Sequence, residues 1–145
     1  MHNICVRIAI DTNLLIAALT KPGGTSGRLV QAWRDGLVDN VASEATVREA
    51  EAVLGGRWLE RLAGRDRVRQ LLRDLREHSA WVEDPPLIDD LDLKDAGDLR
   101  MVEAAVAGGA ELIATTDREF LSKRGYGSVE FVTAGEALRR IGAAG

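Results

Sequence analysis

The chain has 145 residues, the size of one ordinary domain, and its 46% hydrophobic and 29% charged residues are typical of a folded globular protein. The net charge of −4 argues against binding nucleic acid through a broad positive surface, so a polyanionic ligand would need another source of neutralisation. No apolar run is long enough to span a bilayer and no signal peptide is recognisable at the start, so we expect one cytoplasmic domain over residues 1–145.

Hydrophobic patterning predicts alternating strands and helices from the start of the chain. Ile4 to Ile10 is almost continuously apolar and rich in β-branched residues, as in a strand covered on both faces of a parallel sheet. A short helix, a second helix, a strand and a helix capped by Ser43 are predicted next. In chain order they cover Asn13 to Leu19, Arg28 to Trp33, Val38 to Ala42, and Ser43 to Leu54.

The second half of the chain continues this alternation. Arg57 to Glu77 has apolar residues at helical spacing, with a break expected at Gly64. The later elements are a strand at Ala80 to Glu83, a helix at Ala96 to Ala107, a strand at Glu111 to Thr115, a helical turn at Asp117 to Leu121, a strand at Val129 to Val132 and a helix at Ala134 to Ile141. We therefore expect a three-layer α/β/α sandwich around a mostly parallel sheet of about five strands.

Two aspartates directly follow predicted strands, at the edge where parallel sheets bind ligands. Asp11 follows the first strand, and Asp117 follows the apolar segment from Leu112 to Thr116. Each would also serve as the N-cap of the helix after it, and the sequence leaves both roles open.

Two further carboxylates have unusual positions on their helices. Glu49 belongs neither to the polar arc of its helix nor to the apolar face, so it points along the edge of the core or into solvent. Asp98 heads the apolar stripe of its helix, which directs it inwards. A carboxylate in the first helical turn also stabilises free amides, beside a cap at Asp95.

One shared cation accounts for all four carboxylates, because a buried carboxylate is costly unless it is paired, hydrogen-bonded or bound to a metal. No lysine or arginine stands at the corresponding inward positions, and the chain has only two histidines. Ligation by oxygen alone favours Mg²⁺ or Mn²⁺ over zinc or copper.

These residues together resemble the PIN-domain family, metal-dependent ribonucleases that include VapC-like toxins of toxin–antitoxin pairs. The resemblance covers nearly the whole chain, and its motifs appear in order and at the family's spacing. They are Ile10-Asp11-Thr12-Asn13, Ser43 with Glu49 six residues later, Lys94-Asp95-Ala96-Gly97-Asp98, and Gly108-Gly109-Ala110-Glu111 running into Thr115-Thr116-Asp117. The resemblance implies that Asp11, Glu49, Asp98 and Asp117 are the catalytic metal ligands. It also implies supporting roles for Asn13 and Thr115, beside the cap residues Ser43 and Asp95.

The function implied by the resemblance is that of a Mg²⁺- or Mn²⁺-dependent endoribonuclease, the toxin of a toxin–antitoxin pair. Its expected partners are RNA, a small antitoxin protein and a second copy of the chain. The segment Arg57 to Glu77 has seven arginines and four acidic residues, so Arg65 and Arg69 are candidates for RNA contact, although a solvated helix face is the simpler interpretation. Arg118 and Lys123, close to Asp117 in sequence, are the alternatives.

Three other functions fit an α/β fold with clustered acids. A haloacid-dehalogenase-like phosphatase needs a second aspartate two positions after the first, where this chain has Asn13. A receiver-like signalling switch pairs two acids after the first strand and phosphorylates another at mid-chain, and neither feature is present. An inactive binding module of the same fold stays open as the third alternative.

Overall fold

The computed structural model describes residues 6–144, so Ile4 and Cys5 of the first predicted strand lie outside the described residues. The described chain forms six strands and eight helices that alternate along the sequence. In chain order they are β1 (Val6–Ile10), α1 (Thr12–Thr20), α2 (Thr25–Arg34), β2 (Val38–Ala42), α3 (Glu44–Leu54), α4 (Arg57–Ala63), α5 (Arg65–Glu77), β3 (Ala80–Trp81), α6 (Ala96–Ala107), β4 (Leu112–Ala114), α7 (Arg118–Ser122), β5 (Gly125–Tyr126), β6 (Val129–Val132) and α8 (Ala134–Ala144). Among these helices none is long and apolar enough to cross a membrane.

The strands form one sheet in the order β3-β2-β1-β4-β6-β5. All pairs are parallel except β5 with β6. The chain builds outwards from β1 through β2 to β3 and then returns to the other side of β1 with β4. The strand order therefore reverses between β1 and β4, where open parallel sheets bind their ligands.

The core has a layer on each face of the sheet, and β1 shows the alternation that separates them. Ile8 and Ile10 pack with the helices of one face, whereas Ala9 packs with α6 and α7 on the other. On the second face the rings of Phe120 and Phe131 meet edge to face, with centroids 4.7 Å apart. The expected α/β/α sandwich around a mostly parallel sheet is confirmed.

The strand number differs from the expectation of about five, because the two-residue strand β5 was not predicted. Residues 121–128 are mostly polar and glycine-rich and lack an alternating pattern, so only the antiparallel pairing with β6 defines this strand.

The predicted break at Gly64 is confirmed. Gly64 has a φ of 95°, a conformation that favours glycine, and it separates α4 from α5.

Candidate active site

The reversal of strand order places the ends of β1 and β4 side by side. The backbone N–H of Asp11 donates to the carbonyl of Ala114 at 3.0 Å. The Thr115 hydroxyl donates to Asp11 Oδ2 at 2.7 Å, and Thr115 Oγ1 accepts from the backbone N–H of Asp117 at 3.0 Å. Asp11 is 6% exposed and Thr115 is completely buried. One threonine therefore links the two aspartates that the sequence placed at this edge.

Only one of the two aspartates caps the helix that follows it with its side chain. Asp11 occupies the N-cap position of α1, but its side chain accepts no capping hydrogen bond. Asp117 caps α7, since its Oδ1 accepts from the backbone N–H groups of Glu119 and Phe120 at 2.8 and 3.4 Å. Capping is therefore a real role for Asp117, and it fixes the orientation of this carboxylate at the sheet edge.

Two helices bring Glu49 and Asp98 to the same edge. Ser43 and Thr46 form a capping box that starts α3, and Glu49 follows on that helix, half-buried. The Glu49 carboxylate lies directly against Gly97, where a Cβ would overlap both of its oxygens. Asp98, the next residue, is 8% exposed. Glu49 therefore reaches this position because the second residue of α6 has no side chain.

Burial, with a smaller contribution from mutual repulsion, raises the pKa of three of these four acids. Burial raises the pKa of Asp98 to about 7, and the neighbouring charges of Asp11, Asp95, Asp117 and Glu49 add to the effect. Burial also raises the pKa of Asp11, against the hydrogen bonds from Thr115 and Thr12 that lower it. The pKa of Glu49 is raised by burial and then by the charges of Asp95 and Asp11. The carboxylates that the sequence predicted from separate segments thus share one electrostatic environment, which we call the acidic site (Asp11, Glu49, Asp98 and Asp117).

The donor set of the acidic site fits a hard divalent cation. All its donors are carboxylate oxygens, and none of the four forms an ion pair within residues 6–144. The four side chains have not converged on one point, since no group of three or more acidic, histidine or cysteine side chains in the described part of the chain is close enough to hold a metal ion. Mutual repulsion explains a spread arrangement of like charges.

The other predicted site residues differ in their contacts and in their exposure to solvent. Asp95 caps α6 by accepting from the backbone N–H of Gly97 at 2.7 Å, and its charge contributes to the acidic site. Asn13 is exposed, and its side chain makes no hydrogen bond to another described residue. The four basic residues considered for RNA contact are all exposed, and Arg118 is the one that directly follows the acidic site in the chain. These residues are Arg65, Arg69, Arg118 and Lys123.

The roles of two residues that support this edge were not predicted from the sequence. Asn40 is buried in β2, where its Oδ1 accepts from the backbone N–H of Ile10 at 3.1 Å and its Nδ2 donates to Ser79 Oγ at 3.2 Å. It fixes the end of β1 immediately before Asp11. A polar residue inside the apolar strand Val38 to Ala42 was the available signal. Gly97 was noticed only as part of a motif, and its contact with Glu49 required the packing of α3 against α6.

The chain is similar to a known protein family. A family model described as "PIN domain" matches residues 7–119, which is 113 of the 145 residues and includes the whole acidic site. No curated protein shows significant sequence similarity to the chain.

Proposed function

Because the chain belongs to the PIN domain family, whose members are generally nucleases, we propose that it is a Mg²⁺- or Mn²⁺-dependent endoribonuclease. The observation that carries the proposal is the acidic site itself. Four carboxylates from four separate segments lie near one another at the sheet edge without a basic partner among the described residues, and the pKa values of three of them are raised. Such an arrangement costs stability unless a cation offsets the charge, so a functional requirement explains it better than a structural one.

The residues divide into two groups by how firmly they are held. Asp11 is fixed by the Thr115 hydroxyl and Asp117 by its capping bonds, so these two form the rigid half of the metal cradle. Glu49 and Asp98 accept no hydrogen bond from a described residue, so they are free to turn towards a cation. A divalent cation held there would activate water and offset the charge that develops on the scissile phosphate. In this proposal Arg118, which is exposed and follows Asp117 in the chain, holds a flanking phosphate.

Substitution of one ligand tests the proposal. Asp11→Asn removes a charge without changing the shape of the side chain, so we expect Mn²⁺-dependent cleavage of single-stranded RNA to fall at least about 100-fold. Far-ultraviolet circular dichroism should be unchanged. Asp92→Asn, in the exposed loop before α6, is the matched control and should keep full activity. Equal cleavage by wild type and Asp11→Asn contradicts the proposal, and no cleavage by wild type with either metal identifies an inactive binding module.

We further propose that the nuclease is the toxin of a toxin–antitoxin pair, bound by a small antitoxin protein and able to form a homodimer. Support comes from exposed apolar side chains on α3 and α4, namely Val53, Trp58 and Leu62, which another chain would cover. Expression of the chain alone should arrest growth, whereas expression of Asp11→Asn should not. Tolerance of the active wild-type chain as a monomer at high expression contradicts this part of the proposal.

A further inference from the structure

A groove of about 560 Å³ opens between the start of α3, the middle of α6 and the segment after β3. Ala45 lines it and lies four residues before Glu49, on the same face of α3. Arg100 lines it and lies three residues after Gly97, against which the Glu49 carboxylate packs. The groove is therefore one helical turn from the acidic site, along the contact between α3 and α6. Below it is called the Trp81 groove, and its lining includes Trp81, Glu83, Asp84, Leu87, Arg100 and Glu103.

An aromatic ring in the groove is exposed and yet fixed in position. Trp81 is 40% exposed, and its Nε1 donates to the backbone carbonyl of Arg76 at 2.9 Å. The Arg76 side chain is itself held by Glu44 and Glu51, at 3.0 and 2.7 Å. The indole is thus a preorganised flat surface of the kind on which proteins stack an unpaired nucleobase.

The charges in the groove favour a base over a phosphate. Glu83 and Asp84 are exposed, and neither carboxylate has an ion-pair or hydrogen-bond partner in the part of the chain that the structure describes. Arg100 is paired with Glu103, because its Nε lies 3.0 Å from Glu103 Oε1, although this buried Nε makes no hydrogen bond within the described residues. A phosphate would be repelled by the free carboxylates, whereas a neutral base with N–H donors would not.

Among the four RNA bases, guanine matches these carboxylates best. Its Watson–Crick edge presents two adjacent N–H donors, which pair with the two oxygens of one carboxylate. Adenine and cytosine each present one donor group beside an acceptor, and uracil presents one donor between two acceptors. An acceptor facing Glu83 or Asp84 would be repelled, so the groove discriminates by charge as well as by shape.

We infer that the Trp81 groove binds an unpaired guanine of the RNA, stacked on Trp81 with its Watson–Crick edge towards Glu83 and Asp84. The inference rests on the proposed ribonuclease function and specifies its substrate as single-stranded RNA with a guanine near the cleaved bond.

Binding is tested first without catalysis, in the metal-free chain. The indole N–H resonance of Trp81, assigned by its loss in Trp81→Phe, is followed by NMR during titration with guanosine or adenosine monophosphate. We expect the guanine nucleotide to shift this resonance at a concentration about 10-fold or more lower than the adenine nucleotide requires. The indole N–H resonance of Trp58 should not shift. The double variant Glu83→Gln, Asp84→Asn should remove this difference. Asparagine at position 84 tolerates the φ of 44° found there, so the backbone is preserved.

Cleavage is tested with RNA oligonucleotides that differ only in the position of a single guanine. One fixed position relative to the cleaved bond should raise kcat/KM about 10-fold or more, as a bidentate base contact does. Trp81→Ala should abolish the preference and Trp81→Phe should keep part of it, because phenylalanine still stacks. Trp58→Ala, which removes a more exposed tryptophan outside the groove, should retain the full preference.

The two proposals fail in different ways. Selective binding of the guanine nucleotide together with no cleavage of any RNA leaves the groove assignment standing and refutes the ribonuclease function. Equal shifts of Trp81 by both nucleotides, with cleavage that ignores guanine, overturns the inference and leaves the ribonuclease function intact. A shift of Trp81 by an arginine-rich peptide but not by the guanine nucleotide also overturns it, and assigns the groove to a protein partner.

Discussion

Asp98 shows at the level of one residue how the acidic site opposes folding. Its pKa is raised from 3.8 to about 7, first by burial and then by the surrounding carboxylates. Since the folded chain binds this proton more tightly than the unfolded chain, the stability from protonated Asp98 is complete below about pH 4 and is lost as the pH rises towards 7. We expect metal-free Asp98→Asn to be more stable than wild type at pH 8, with a smaller difference at pH 5.

Urea unfolding with a chelator present, at pH 5 and at pH 8, measures this difference. Asp92→Asn is the control, because it removes an exposed carboxylate that makes no ion pair or hydrogen bond within residues 6–144. An Asp98→Asn variant whose stability follows the wild-type pH dependence contradicts the expected cost of this charge.

We expect Thr115 to act as a positioning residue, with an effect on metal affinity. Its hydroxyl bonds both Asp11 and the Asp117 amide, and Thr115→Val removes both bonds at nearly constant volume. We expect the Mn²⁺ concentration for half-maximal cleavage to rise about 10- to 100-fold. The free energy of unfolding should fall by about 1–3 kcal/mol. Thr115→Ser keeps the hydroxyl and should restore most of the metal affinity, a recovery that a purely packing role for Thr115 would not give.

At the level of elements, the start of α6 allows stability and function to be separated. Gly97 is the second residue of its helix, where alanine has the higher helix propensity by about 1 kcal/mol. The added Cβ would meet the flexible end of Glu49 and push its carboxylate away at little cost to the fold. We expect Gly97→Ala to keep the stability within about 1 kcal/mol of wild type while RNA cleavage falls at least about 10-fold.

A second glycine provides the matched control for this variant. Gly135 is also the second residue of its helix, α8, and a Cβ there would meet only ordinary contacts at 3.7 Å or more. Gly135→Ala should therefore match or exceed the wild type in stability and keep full activity. Equal activity of the two variants would show that the position of Glu49 does not matter for cleavage.

Local pattern was sufficient for most elements because their signals are short-range. Alternation, caps and glycine breaks predicted the helix from Ser43 to Leu54 and the break at Gly64, and both are present. Strand β5 was missed because its only support is pairing with β6, which is a tertiary feature. The Trp81 groove was missed for the same reason. It forms from three segments that are distant in sequence, and Trp81 alone carried no signal beyond that of a strand residue.

At the level of the whole molecule, strand order is the property that is hardest to predict from local sequence. Periodicity predicted that Asp11 and Asp117 each end a strand, but their contact through Thr115 requires β1 and β4 to be neighbours. Hydrophobic patterning does not say which strands pair. The resemblance to a known family implied that the four carboxylates form one site, and the structure adds the pairing of β1 with β4 and the bond by which Asn40 ties β2 to the end of β1.

The acidic site draws one carboxylate from each of four segments spread from residue 11 to residue 117, so if these are the metal ligands, as proposed, metal binding should stabilise the entire fold. A ligand that binds only the folded chain, at about 100 times its Kd, adds about 2.7 kcal/mol. For a domain of this size that corresponds to a rise in Tm of roughly 10 °C. We expect Mn²⁺ to raise the Tm of wild type by this order, and to raise that of Asp11→Asn by much less. Potassium chloride at equal ionic strength should not reproduce the rise, because screening alone relieves repulsion between buried charges only weakly. An equal increase in wild type and Asp11→Asn would place the bound ion elsewhere, for example on the acidic loop before α6, and would remove the physical basis for treating these carboxylates as ligands.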